Sequence, residues 1–374
     1  MEQYREDWRA FEKREPGYLK ALYIAFQAIF HFNTPIDIDY ILLLHKLATE
    51  GVHRTNYQLN RTKLSRKGAF RQDDVNAVSF ELSHYESVPD NATLAGVYQL
   101  LEDKNPFLMF SIATKNRNFK LRDVYLTNEL IDRLRRCFVM VKEKKHFVSD
   151  DDFWDALIKF AYIKNVSEKN KSVIVPILKK IAETENNDQL ANYLFEVIKI
   201  SRYRGAVRVK ILSGQRKNVE SILTDEMQKY VDYYHDSIAI ARNRIEKLYA
   251  IIIFIQSCEQ LHPFYDANCR TFCMLLLNHL LMRNGFPPAI LTNPNRFDAF
   301  SRDELLIDVL DGMKESIAFI KGEESSCVKT TNIVNDLGQS QTQSDQMLKN
   351  YFDEIVNMED FDRDRTCKIS TLRI

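Results

Sequence analysis

His262-Pro263-Phe264-Tyr265-Asp266-Ala267-Asn268-Cys269-Arg270-Thr271 is the stretch that decides how the rest of the chain is read. Upstream of it, Lys247 to Gln260 is apolar almost all round, which predicts a buried helix. Downstream, Thr271 to Asn284 predicts a second helix, closed by Gly285 and stopped by Pro287-Pro288. The stretch is therefore a tight loop feeding a helix N-terminus, where backbone N–H groups and the helix dipole favour anions. Its side chains suit phosphate chemistry. His262 can accept a proton and Asp266 can hold a metal, while Asn268 can donate to an anion. Arg270 can grip phosphate with a two-pronged fork.

Composition narrows the alternatives. At 374 residues the chain exceeds a usual single domain, so two lobes or a core with an insertion is expected. Lys plus Arg equals Asp plus Glu at 52 each, so net charge gives no sign of a nucleic-acid partner. No glycine-rich nucleotide loop or Walker motif is present, so any nucleotide must be held another way. The longest apolar stretch, Leu248 to Ile255, is too short to span a membrane, and no signal peptide opens the sequence. Cysteines at 137, 258, 269, 273, 327 and 367 form neither a disulfide framework nor a paired zinc spacing, which points to a reducing compartment.

Periodicity predicts a mainly α chain. Helices are expected over Tyr18–Phe32, Ile38–Glu50, Leu126–Lys142, Asp151–Ile163, Val173–Thr184, Gln189–Ser201 and Thr224–Gln260. Phe70–Leu82 and Ala206–Leu212 are the best strand candidates. Residues 101–200 are too long to be a loop and carry their own apolar faces, so they read as a helical insertion. Residues 322–344 turn to Ser, Thr, Asn and Gln and read as a polar linker. Beyond it, Met347, Leu348, Tyr351, Phe352, Ile355 and Val356 form one apolar helical face. That face suits docking on its own core first, and a partner or membrane second. It is the one place where membrane contact is expected. No ankyrin-type repeat is visible.

The loop resembles the Fic family signature, His-x-Phe-x-[Asp/Glu]-[Gly/Ala]-Asn-x-Arg, and the chain is identified on it as a member of that family. Leu44-His45-Lys46-Leu47-Ala48-Thr49-Glu50-Gly51 resembles the helix the family places early in its fold. Gly68-Ala69-Phe70-Arg71, followed by Val75 and Val78, resembles the start of the hairpin flap that clamps a target peptide. Trp8-Arg9, Arg14-Glu15-Pro16-Gly17, Leu261 through Pro288 and Asn293-Pro294-Asn295-Arg296-Phe297-Asp298 are similar to one branch of the family. That branch comprises the ankyrin-repeat Fic phosphocholine transferases that intracellular bacteria inject into host cells. The fold implied is a Fic helical core with a short β-hairpin flap and a helical insertion. Residues 1–100 would be the first part of the core with the flap, 101–200 the insertion, 201–321 the core with the catalytic loop, and 322–374 the linker and terminal helix.

The resemblance also implies a chemistry. Phosphocholine would pass from CDP-choline to a Ser or Thr hydroxyl of a host small GTPase of the Rab class, with Mg²⁺ as cofactor. The setting implied is the host cytosol, with the protein a secreted bacterial effector. His262 would be the catalytic base; the ordinary imidazole pKa of ~6.5 leaves it mostly neutral at cytosolic pH. Asp266 would hold the metal, and Asn268, Cys269 and Arg270 the donor phosphates. Phe70, Arg71 and Val75 would line the target-binding flap, and Phe264 would pack the loop. Two positions depart from the family pattern. Cys269 stands where most members have Gly, and a side chain there threatens to crowd the second phosphate. Cys273 stands where AMP-transferring members have a second Arg for the γ-phosphate of ATP. A two-phosphate donor loses little by that change, which favours phosphocholine over AMP transfer. AMP transfer from ATP is the second expectation. A degenerate Fic module that binds without turnover is the third, and the joint retention of His262, Asp266, Asn268 and Arg270 argues against it.

Overall fold

The computed structural model describes residues 12–13, 15–31, 34–52, 54–56, 61–63, 68–70, 78–80, 92–103, 108–112, 124–144, 153–154, 156–157, 168–199, 207–211 and 219–322. The fold is mainly α, and the chain divides into two compact units. The first is built from residues 1–73, 215–297 and 302–374, and the second from 74–214 with 298–301. No helix among the described residues is long and apolar enough to cross a membrane.

The first unit opens with α1 (Tyr18–His31) and α2 (Ile38–Thr49), followed by the antiparallel pair β1 (Arg54–Asn56) and β2 (Arg61–Lys63). Asp37 starts α2 by accepting the N–H of Tyr40 at 2.8 Å, one of the donors a helix start leaves unpaired. Gly17 lies before α1 at φ +93°, and a Cβ there would sit 2.3 Å from the carbonyl oxygen of Gly51, so only glycine fits. Two long helices then fill the centre. The first buries Val219, Leu223, Met227 and Val231, spaced by four, as one stripe. The second, Arg244–Leu261, is buried on nearly every side, from Leu248 through Ile251, Ile252, Phe254 and Ile255 to Leu261.

The sequence predicts a single helix over Thr224–Gln260; the structure breaks it at Ala241–Asn243, between the helices Val219–Ile240 and Arg244–Leu261. Asn243 caps the second helix by accepting the N–H of Glu246 at 2.9 Å. The Glu246 carboxylate reaches back to the backbone N–H of Arg242 at 2.7 Å, so a reciprocal cap outweighs continuous apolar periodicity. After the loop at 262–269 come a π-helical segment, Arg270–Leu276, a helix over Leu277–Arg283, and a long helix, Arg302–Lys321, the last among the described residues.

The second unit combines helices with a sheet. Thr93 caps the helix Leu94–Glu102, and Gly96 in its first turn lies against Ala299, whose carbonyl oxygen also accepts the N–H of Thr93. Helices over Asn128–Lys144, Glu168–Glu183 and Asn187–Lys199 enclose a core that includes Leu134, Leu157, Leu178, Ile181 and Leu190. Arg135 ties the first of these helices to the 184–187 turn through Thr184 Oγ1, Asn187 Oδ1 and the Asn186 carbonyl. Beside the helices lies a four-stranded antiparallel sheet of β3 (Val78–Phe80), β4 (Leu108–Ile112), β5 (Val124–Thr127) and β6 (Val207–Ile211), in the order β3-β6-β4-β5.

The sheet adds to the expected picture. The segment 101–200 holds helices near three of the expected ones and also β4 and β5. Leu126–Thr127 belong to a strand rather than to the helix predicted there, and most of the helix expected over Asp151–Ile163 lies outside the described residues. Val78–Phe80 pairs with β6 and is an edge strand among the described residues. Arg71 and Val75 of the expected flap lie outside the described residues, as does the apolar face at 347–356.

Candidate active site

The loop begins where the helix Arg244–Leu261 stops. His262 occupies its C-terminal position in the left-handed region, φ 49° and ψ 54°, and its N–H bonds back to the carbonyls of Cys258 and Glu259. Ala267 is the other non-glycine residue with positive φ among the described residues, at 60°. Two such residues bracketing six positions mark a loop whose shape is imposed by its surroundings. Asn268 supplies much of that imposition. Its side-chain oxygen accepts the N–H of Phe264 at 2.9 Å, and its nitrogen donates to the Phe264 carbonyl at 3.0 Å. Those two bonds use one of the two amide hydrogens of Asn268.

Phe264 is fully buried and closes the loop from within. The His45 ring lies flat on it, with centroids 3.8 Å apart and planes 1° from parallel. Phe272 stacks at 5.6 Å and Phe70 tilts against it at 5.4 Å. His45 is itself fully buried. It accepts the Gly68 N–H on Nδ1 at 3.0 Å and places Nε2 3.2 Å from the carbonyl oxygen of Asp266. Burial is the main reason its pKa falls to about 4, so the ring is neutral.

The charged groups form a compact set. Arg270 is buried, donates from Nη2 to Glu15 Oε2 at 2.8 Å and from Nη1 to the Ala48 carbonyl at 3.2 Å, and lies over the Tyr18 ring. Its Nη2 is 3.6 Å from Asp266 Oδ2. The fork read from the sequence as a phosphate grip is therefore also the anchor that joins the loop to the segment before α1. His262 Nδ1 stands 3.9 Å from Glu259 Oε1, and the other oxygen of Glu259 is 3.7 Å from the buried Cys273 thiol. His279, by contrast, is a buried histidine bonded to the Ile29 carbonyl.

Cys269 has ordinary helical backbone, φ −56° and ψ −42°, so a side chain there costs no backbone strain. Asp266 brings a single carboxylate, and no group of three or more acidic, His or Cys ligands occurs among the described residues. A lone carboxylate fits a cation that takes its remaining ligands from phosphate oxygens and water, as Mg²⁺ does. It does not fit a zinc-type cage.

The structure thus brings His262, Phe264, Asp266, Asn268, Cys269 and Arg270 together, with Phe70 against the Phe264 ring. Residue types around the loop could not reveal Glu15, Glu259 or Tyr18 as its partners. For Glu15 the only available sign is its place in the Arg14-Glu15-Pro16-Gly17 resemblance.

Residues 188–281 match the model of the Fic/DOC family. The phosphocholine transferase AnkX of Legionella pneumophila is 35% identical over 145 residues, covering 39% of this chain and 15% of that protein. The protein adenylyltransferase fic-1 of Caenorhabditis elegans is 29% identical over 129 residues, 33% of this chain and 22% of its own length. Its Caenorhabditis briggsae counterpart is 33% identical over 81 residues, 21% of this chain and 14% of that protein. The matched part of the chain thus spans less than a quarter of each of these relatives.

Proposed function

We propose that the protein is a Fic-type transferase that moves phosphocholine from CDP-choline onto a Ser or Thr hydroxyl of a small GTPase of the Rab class, acting as a bacterial effector in the host cytosol. The observation that carries this reading is the identity of the groups around the loop. His262, Asp266, Asn268 and Arg270 stand together, while the residue 273 position holds a buried thiol facing Glu259 in place of a cation.

In the reaction the target oxygen forms a bond to the phosphorus that carries choline, and the bond from that phosphorus to the bridging oxygen breaks. CMP leaves with the electron pair. His262 takes the hydroxyl proton on Nε2, the ring nitrogen not turned toward Glu259. A positioned base of this kind is worth ~10²–10⁴-fold in rate. The loop backbone at Cys269 and Arg270, with the Asn268 amide, would face the transferred phosphate as fixed donors that need little reorganisation, while the Thr271 N–H is held by the Ala267 carbonyl at 2.9 Å. Mg²⁺, held by Asp266 together with the donor's own oxygens, would neutralise the diphosphate. Arg270 reaches phosphate only by sharing or leaving Glu15. The segment starting at Phe70, with Arg71 and Val75, would hold the target backbone.

AMP transfer from ATP is the second reading, favoured by the likeness to the two adenylyltransferases. Intact-mass spectrometry of Rab-class GTPases incubated with the full chain and Mg²⁺ separates the two. CDP-choline, ATP, UTP and GTP are supplied in separate reactions, each beside a His262→Ala control. A phosphocholine adduct with CDP-choline alone, absent in the control, is expected. A nucleotide-monophosphate adduct overturns the donor assignment, and an adduct surviving in the control overturns the base assignment.

A further inference from the structure

His45 lies outside the loop read as the phosphate site, yet one of its ring nitrogens meets that loop at Asp266 and the other meets Gly68. Gly68 donates its backbone N–H to Nδ1 at 3.0 Å, so Nδ1 carries no proton. A neutral ring then carries its proton on Nε2, and the Asp266 carbonyl oxygen, 3.2 Å away, can only accept it. The tautomer is therefore fixed by two backbone groups that are far apart in sequence. The ring plane is fixed as well, by its flat contact with Phe264. Gly68 can approach only because it has no side chain. At φ +62°, a Cβ there would lie 3.2 Å from both the Leu42 carbonyl oxygen and the Lys46 Cβ of α2.

One side chain thus sets the height of the Asp266 backbone on one side and of the Gly68–Phe70 segment on the other. A histidine buried merely for packing needs partners for its nitrogens, but any partners would serve. Here they are the residue read as metal ligand and the root of the segment read as target-facing.

Resting on the transferase reading above, we propose that His45 is a positioning residue for the transfer. As the Nε2-protonated imidazole it holds the Asp266 turn for the donor and, separately, the Gly68–Phe70 root for the target. The two bonds can be cut one at a time. His45→Asn keeps an acceptor near the Nδ1 position for the Gly68 N–H and loses the donor to Asp266. His45→Gln reaches the Nε2 position with its amide, keeps that donor and loses the acceptor.

Steady-state kinetics of the full chain with CDP-choline, Mg²⁺ and the modified GTPase is the test. His45→Asn is expected to raise the donor KM and the half-saturating Mg²⁺ by roughly fivefold, the worth of one hydrogen bond, with the target KM near wild type. His45→Gln is expected to raise the target KM by a similar factor with the donor KM unmoved. Folded variants with wild-type KM values, or with kcat alone reduced in both, overturn the proposal. Long-range proton–nitrogen correlation spectra of histidine-labelled wild-type protein give a second reading that needs no turnover. A bare Nδ1 and protonated Nε2, shifting when Mg²⁺ and CDP-choline are added, are expected. A protonated Nδ1, or resonances unmoved by a donor that calorimetry shows to bind, overturns the proposal even if neither variant folds. Absence of any adduct or donor binding with wild type would instead count against the transferase reading itself, leaving the tautomer result to stand or fall separately.

Discussion

Two aromatic clusters, one in each unit, are built by different rules. In the second unit, Phe153 meets Trp154 edge-on at 80° and Phe138 at 90°, while Phe138 and Trp154 lie 23° from parallel at 6.0 Å, with Lys179 over the Trp154 face and Lys142 over Phe138. Edges facing faces, and cations over faces, are what ring quadrupoles favour anywhere. In the first unit, His45 lies flat on Phe264, 1° from parallel with centroids 3.8 Å apart, closer and flatter than any of those three pairs. Flat stacking leaves the edge of the imidazole pointing outward in its own plane, where both nitrogens meet backbone groups. The edge-on cluster closes a helical layer. The flat one transmits a position.

The largest expected effect comes from breaking the flat cluster. Phe264→Ala should cost ~3–5 kcal/mol of stability, as for other fully buried rings. It should also lower turnover of the folded fraction by at least about 10²-fold, because a shift of about an ångström in the loop misplaces His262. Denaturant unfolding and single-turnover rates measure the two losses. Trp154→Ala should cost about 3 kcal/mol in the same unfolding experiment while kcat at saturating donor and target stays within about twofold. Equal kinetic damage from both substitutions would erase the distinction between the clusters.

A pH titration sharpens it. Burial holds the His45 pKa at about 4 in the folded chain, below its ordinary value. The unfolded chain therefore binds more protons between about pH 6.5 and 4, and stability falls as pH is lowered through that window. His45→Asn should flatten that part of the stability profile, and an unchanged slope would mean that another group sets it. The smallest effect is Lys179→Ala, which should cost ~0.5–1 kcal/mol and leave kinetics alone, since a cation over Trp154 contributes about that much.

Much of the first unit is legible in sequence because its signals are local. Lys247–Gln260 is apolar almost all round and forms a largely buried helix, and Gly285 at φ +78° ends the helix after the loop. The phosphate chemistry proposed for the loop likewise rests on residue types that lie together in sequence. The break at Ala241–Asn243 is less visible, because apolar periodicity runs across it and only the Asn243–Glu246 cap interrupts it. The sheet is harder still. Val78–Phe80 pairs with residues 207–211, and no local pattern reports a partner so distant. The Arg270–Glu15 pair spans 255 positions and is hidden for the same reason.

The division of the chain also fixes an order of events during synthesis. The first unit needs residues 1–73 together with 215–297, while nearly all of the second lies in the stretch between them. At ~5–20 residues per second, α1 and α2 wait roughly 10–45 s on the ribosome before the helices that cover them have been made. In that interval Ala21, Ala25, Ile29, Ile41 and Leu44, all buried in the finished protein, have only the contact of α1 with α2 to shelter them. The nascent first unit therefore keeps apolar surface uncovered until residues 215–297 emerge, and the loop at 262–269 can take its shape only after that.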